Sequence, residues 1–320
     1  MKKLSNIVFV IALIMLIHFN VAFAQMSGFI KDGDTYTSFD VFGASGIRTG
    51  GINDLGQVVG YYTDESGLYH GFLKDGDTLT SINYPGATGT YLSDINNSGQ
   101  IVGNYSDATH RWHGFLKEGN IYTEIIYPDD NIHTTLLNSI NNSSQIVGSY
   151  LTQSDVIETE NSVTYMHHAL LIDGNTYTSF DIPGAYTTHF NGISDNGLIV
   201  GHYASWSDGG QAHGFLKNGE NINLLGNLFS HPLDINNAGQ MVALHNSVGD
   251  GNTYSFINYP DYFVGNKTFD VYSTGVSGIN NAGQIVGQYA YNASVPEPAT
   301  MLLLGLGLMG LVGLRRKFKK

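Results

Sequence analysis

One ten-residue phrase occurs six times along this chain, and that recurrence restricts the fold more than any other property of the sequence. GINDLGQVVG begins at Gly51, and close relatives begin at Asp94, Ser139, Gly192, Asp234 and Gly278. The central isoleucines are Ile52, Ile95, Ile140, Ile193, Ile235 and Ile279, spaced by 43, 45, 53, 42 and 44 residues. Each period reads as four short strands. The first ends in Ile-Asn, and a tight turn leads into a β-branched second strand such as QIVGNY at residues 100–105. The third is typified by HGFLK at residues 113–117 and the fourth by TYTSFD at residues 176–181. Asp32-Gly33, Asp75-Gly76, Glu118-Gly119, Asp173-Gly174 and Asn218-Gly219 join third strands to fourth, a hairpin signal in which both central positions are expected at positive φ. In the first turn, Asn and Gly are likewise expected to supply unusual backbone angles.

Four-stranded units in series build either an open solenoid or a closed ring. The ends of the array decide between them. It opens with strands three and four only, at residues 28–40, and closes with strands one and two only, at residues 278–290. Two half-units make one sheet when the ends meet, and a ring so closed leaves no free edge between first and last units. The expected fold is therefore all-β: a six-bladed β-propeller of four-stranded blades, closed by a two-plus-two clasp of N- and C-terminal strands over residues 25–290. Gly60, Gly103, Gly148, Gly201 and Gly287, with Ala243 in the fifth copy, share one register position, where a small residue admits a close neighbour.

The third strands carry His70-Gly71-Phe72, His113-Gly114-Phe115, His168-Ala169-Leu170 and His213-Gly214-Phe215. These units resemble extracellular HAF repeats, with Tyr254-Ser255-Phe256 departing from the pattern in the fifth blade. The resemblance implies secretion and a repeat architecture, and no particular activity. A histidine recurring at one repeat position is expected to make the same local hydrogen bond each time, and no metal site is expected from the four.

Both termini read as processing segments lying outside the fold. A basic start, an apolar run at residues 7–17 and Ala22-Phe23-Ala24 predict a signal peptide over residues 1–24, cleaved between Ala24 and Gln25. At the other end a linker, residues 291–298, carries Pro296-Glu297-Pro298, followed over residues 299–320 by an apolar segment ending in Arg315, Arg316, Lys317, Lys319 and Lys320. That segment is short for a membrane span, and its basic end is expected on the cytoplasmic side. The three parts in order resemble a PEP-CTERM sorting signal. The resemblance implies an exosortase-type membrane peptidase as partner, transient membrane insertion through the tail, and a cell-surface, outer-membrane-associated or extracellular destination in a Gram-negative bacterium that exports polysaccharide.

Between these ends, residues 25–298 hold 7 basic and 27 acidic side chains, a formal charge of −20. That balance argues against nucleic acid or anionic lipid as partners. The chain has no cysteine, so thiolate chemistry and disulfides are excluded. No cofactor is expected. DINNSG at residues 94–99 matches the start of a calcium loop, but Tyr105 stands where a bidentate glutamate is needed, and a turn is preferred.

The loops between second and third strands vary, and variable loops on a rigid ring are where binding usually resides. They carry Trp112 with His110 and Arg111, Trp206 with Asp208, and a long insertion in the third blade with Asp155, Glu158 and Glu160. Tryptophan faces beside carboxylates suit sugar rings. The expected function is a non-catalytic binding or structural protein of the cell surface or exopolysaccharide matrix. The alternative is a carbohydrate-active enzyme, a glycoside hydrolase or lyase, with paired acids on the same rim.

Overall fold

The structure, a computed structural model, describes residues 24–41, 43–158, 163–225, 231–246, 253–259, 262–263 and 273–292. The signal segment up to residue 23, the sorting residues Pro296, Glu297 and Pro298 with the tail behind them, and Glu160 lie outside the described residues. Residues 26–289 form one compact unit.

The regular structure of the described residues is all strand apart from two single-turn helices, and the strands assemble into six four-stranded antiparallel sheets and a two-stranded ribbon. The N-terminal strands are β1 (Ala24–Asp32) and β2 (Thr35–Phe39). The first complete blade is β3 (Gly46–Ile52), β4 (Val58–Thr63), β5 (Tyr69–Asp75) and β6 (Thr78–Ile82). The second is β7 (Gly89–Ile95), β8 (Ile101–Ser106), β9 (Trp112–Glu118) and β10 (Ile121–Ile125). The third has β11 (Ile132–Ile140) and β12 (Ile146–Thr152), then the ribbon β13 (Val156–Glu158) with β14 (Val163–Tyr165), then β15 (His168–Asp173) and β16 (Thr176–Phe180). The fourth is β17 (Thr187–Ile193), β18 (Leu198–Ala204), β19 (Ala212–Asn218) and β20 (Asn221–Leu224). The fifth is β21 (His231–Ile235), β22 (Met241–Asn246), β23 (Thr253–Tyr259) and β24 (Tyr262–Phe263). β25 (Ser273–Ile279) and β26 (Ile285–Asn292) complete the last sheet with the N-terminal pair, in the order β2-β1-β26-β25. The fold is a propeller of four-stranded blades with an N/C clasp.

Circular hydrogen bonding explains the Ile-Asn-Asn phrase. In the second residue after each isoleucine, a backbone N–H donates to the side-chain oxygen of its counterpart in the next blade. Asp54 donates to Asn97, Asn97 to Asn142, Asn142 to Asp195, Asp195 to Asn237, Asn237 to Asn281, and Asn281 back to Asp54, all at 2.8–2.9 Å. The preceding asparagines form a second series through carbonyls: Asn53 to Asn96, Asn96 to Asn141, Asn141 to Ser194, Asn236 to Asn280 and Asn280 to Asn53; Ser194 has no amide to continue it, and the nearby Asn196 donates to the Asn237 carbonyl instead. The five asparagine-to-carbonyl bonds of this second series are buried, and each satisfies a backbone group that would otherwise cost about 1–3 kcal/mol.

The turn angles differ from expectation. In the first turn, glycine alone takes positive φ (Gly99, φ 79°), with Ser144 replacing it in the third blade. Asn96 instead works through its side chain, whose oxygen accepts from the N–H groups of Ser98 and Gln100. In the Asp-Gly hairpins only the glycine has positive φ, as at Gly76 (φ 53°), and it is the first central residue, since Asp75 pairs with Thr78. This is the II′ pattern, in which one residue needs freedom from a Cβ. The neighbouring Lys31, Lys74, Lys117 and Lys217 each donate to the turn glycine's carbonyl and lie 5.5–5.7 Å over an aromatic ring.

The core lies between blades. Phe72, Phe115 and Phe215 are fully buried, each worth about 2–3 kcal/mol of burial. They face Gly60, Gly103 and Gly201 across the second and third strands. A Cβ on Gly201 would stand 2.1 Å from the His189 carbonyl and 2.6 Å from the Phe215 ring, so the shared register position does hold a close approach.

Candidate functional site

The turn rim is tied down. Gln57, Gln100, Gln145 and Gln284, which open the second strands, bond Asp75, Glu118, Asp173 and Asp32 at the hairpin turns, so both turn types lie at one end of the ring. On the axis, Asn281 bonds both Asp54 and Asp195, and the side chains of this circle close in on one another. Behind them is a cavity of about 50 Å³, lined by the six isoleucines together with Asp94 and Asp234. Burial pushes the Asp94 carboxyl up to about 6, and burial with the Asp94 charge drives Asp234 well above the usual carboxylate range. Asp94 accepts from the N–H groups of Ile95 and Ile140 and from the Ser139 hydroxyl, so its oxygens are occupied by donors and DINNSG is a turn.

The variable rim is held by the repeated histidines. His70 bonds Asp64, His113 bonds Asp107 and Glu124, His168 bonds Asp155 and Asp181, and His213 bonds Asp208. Each imidazole also lies against a tyrosine of its own blade: Tyr62, Tyr105, Tyr150 or Tyr203. Asp64 and Asp107 fasten their loops by accepting from Ser66 and Leu68, and from Thr109 and Arg111. Hydrogen bonds from Ser66 and Thr109 lead the causes that hold both carboxyls below the usual range.

The expected binding residues therefore separate. Asp155 accepts from Thr152 and His168, and Asp208 from His213, so both are loop fasteners. Glu158 ends β13, with nothing described of its side chain. His110 holds a positive φ of 64° at a loop tip, exposed with Arg111. Trp206 sits in a single helical turn, 63% exposed and stacked on Tyr186 at 4.1 Å. Trp112 opens β9 and does not stand alone.

Trp112 lies 4.6 Å from Tyr91, measured between ring centroids, and Tyr91 lies 4.7 Å from Tyr61 and 4.9 Å from Tyr69. These four rings form one aromatic patch where the first blade meets the second. Tyr91 is its hub. Tyr69 and Trp112 stay 40% and 39% exposed, so the patch is open to a ligand. Burial, with the neighbouring phenols, raises Tyr91 well above the ordinary tyrosine value, and burial raises Tyr61. Arg48 stands directly opposite Tyr61 in the β3–β4 register.

The same repeat position that holds Tyr91 holds His189 in the fourth blade and His231 in the fifth. Around it His167, His189, His202 and His231 follow one another at centroid spacings of 4.7 Å. Burial, reinforced by neighbouring imidazoles, lowers His167 to about 4, His189 to about 2 and His202 to about 3. Stacked side by side, the rings do not converge: among the described residues, no group of three or more His, Cys, Asp or Glu is placed to hold a metal ion. The signal for both patches was present as departures from the repeat: Tyr61, Tyr91, His189 and His202 stand where other blades have Asn104, Leu136 or Ser149.

Residues 294–317 match the PEP-CTERM protein-sorting motif. That motif implies export, sorting to the cell surface and processing by an exosortase. No curated protein matches the sequence. Among solved structures, a mutant of Aleuria aurantia lectin AAL in complex with Fucα1-6GlcNAc is similar at 10% identity over 84% of this chain and 88% of that one, with a TM-score of 0.43. A triple mutant of AofleA from Arthrobotrys oligospora is similar at 10% identity over 72% and 74%, with a TM-score of 0.41. A protein of unknown function from Dyadobacter fermentans DSM 18053 is similar at 10% identity over 77% and 95%, with a TM-score of 0.44. These are likenesses of chain path at low identity.

Proposed function

We propose that this chain is an exported six-bladed propeller of HAF-type repeats that loses its signal peptide after Ala24 and works at the cell surface or in an exopolysaccharide matrix as a non-catalytic saccharide-binding protein. The observation that carries this is the open patch of Tyr61, Tyr69, Tyr91 and Trp112. Aromatic faces stack on the apolar faces of sugar rings, and phenol groups exchange hydrogen bonds with hydroxyls. The motif at residues 294–317 supports the destination. The acids that share loops with the two tryptophans support binding over hydrolysis. Asp107 and Asp208 are engaged by loop donors and histidines, whereas a glycosidase needs a pair of acids free to move protons.

A glycan array tests the reading. The wild-type protein is expected to retain a subset of glycans, and Tyr91→Ala and Trp112→Ala each to lose at least tenfold in affinity at a temperature below the melting transition of both variants. Full retention in both variants would remove the aromatic patch from the account.

A further inference from the structure

The aromatic patch carries a charge that the rest of the molecule leaves uncommitted. Four of the basic side chains of the ring, Lys31, Lys74, Lys117 and Lys217, are spent on glycine carbonyls and aromatic faces at the hairpin turns. Arg48 is exposed and makes no side-chain hydrogen bond or ion pair among the described residues. Among the described residues the carboxylate ion pairs are all made by histidines, and Arg111, exposed beside Trp112, is as uncommitted as Arg48. What distinguishes Arg48 is the ring it stands against. It pairs with Tyr61 across β3 and β4, and its charge acts on the Tyr61 phenol.

We infer that this patch recognises an acidic saccharide, with the carboxylate of a uronic acid residue taken by Arg48 and its ring laid on the Tyr61, Tyr69 and Tyr91 faces. The inference rests on the proposed saccharide-binding function and names the ligand class of that same site. A guanidinium offers a planar pair of donors that matches a carboxylate, which an ammonium does not. The raised phenols of Tyr61 and Tyr91 stay protonated at neutral pH, so they donate hydrogen bonds and add no repulsion to an anion. The general charge of −20 opposes a polyanion at long range, but that field is screened beyond about 8 Å at physiological ionic strength. Retention of an acidic glycan then reports this site and not a diffuse attraction.

The test compares the full-length chain on a hexamer of galacturonic acid with the same hexamer after its carboxyl groups are reduced to primary alcohols, by calorimetry. Wild type is expected to bind the acid form at least tenfold tighter than the reduced form. Arg48→Gln is expected to erase that preference, leaving the reduced form's affinity and the melting temperature unchanged, since Arg48 holds nothing else in place. Arg48→Lys is expected to recover part of the preference, because it restores charge without the fork. Equal affinity of wild type for both hexamers, or an Arg48→Gln variant that keeps the preference, overturns the inference while leaving saccharide binding standing. Binding of neither hexamer also overturns it. Saccharide binding itself falls only if the wild-type protein retains no glycan on the array, whereas full affinity in both Tyr91→Ala and Trp112→Ala moves it away from this patch.

Discussion

His189 and His202 face each other across β17 and β18, and their substitution gives a prediction whose size can be worked out. The Asn191 amide nitrogen donates to the Pro232 carbonyl at 2.6 Å and meets Nδ1 of His202 at 3.0 Å, so that ring nitrogen is an acceptor and the folded imidazole is neutral. Burial lowers both rings, to about 2 and about 3, from an ordinary value of 6.5. A depressed folded value means stability that is complete above pH 6.5 and lost as the pH falls toward the folded values, because the unfolded chain takes up protons that the ring refuses. At pH 5 the linkage relation gives a loss of about 2 kcal/mol for each ring relative to pH 8. The buried Asp94 and Asp234 move stability in the opposite sense over this range, so the wild-type curve alone does not isolate the histidines. The double substitution His189→Gln with His202→Gln does, because every other titrating group, including His133, His167, His168 and Asp155, is common to both proteins. Urea unfolding at pH 8, 6.5, 5.5 and 5 is expected to show the variant less stable at pH 8, where it lacks the contacts to Ser149 and Asn191, and to lose about 4 kcal/mol less than wild type by pH 5. Parallel curves for the two proteins would refute the neutral, buried state of these rings.

Two other expectations concern the axis and the blade interfaces. Asp94 and Asp234 have raised values, so the stability they contribute is complete below the unfolded carboxylate range and lost as the pH rises, through about 6 for Asp94. Asp234→Asn removes one of the two interacting charges and is expected to flatten the decline between pH 5.5 and 8, read from urea midpoints; an unchanged slope would mean the two carboxyls do not interact. Gly201→Ala forces a Cβ to within 2.1 Å of the His189 carbonyl and is expected to cost about 1–3 kcal/mol, visible as a lower melting temperature, while the aromatic patch between the first two blades keeps its affinity.

The recurrence of the isoleucine-centred phrase every 42–53 residues, and the split of strands between the two ends, determined that the chain makes four-stranded sheets and shuts them with β1, β2, β25 and β26. Periodicity was sufficient there because in the five complete blades strand order follows chain order, and the two half-units left at the ends have only each other to pair with. The recurring histidine was also legible, since the same neighbour is supplied each time by the same repeat. The sites were not. Tyr61, Tyr69, Tyr91 and Trp112 come from four strands of two blades, and only curvature of the ring brings β4 and β5 against β7. Asp155 and Asp208 looked like rim acids open to a ligand until their histidines were in place beside them. Composition counted seven bases against twenty-seven acids, but which base stands beside the phenols of the patch is a matter of position in space. Local repetition settles local geometry, whereas a site made between blades depends on residues the chain never places side by side.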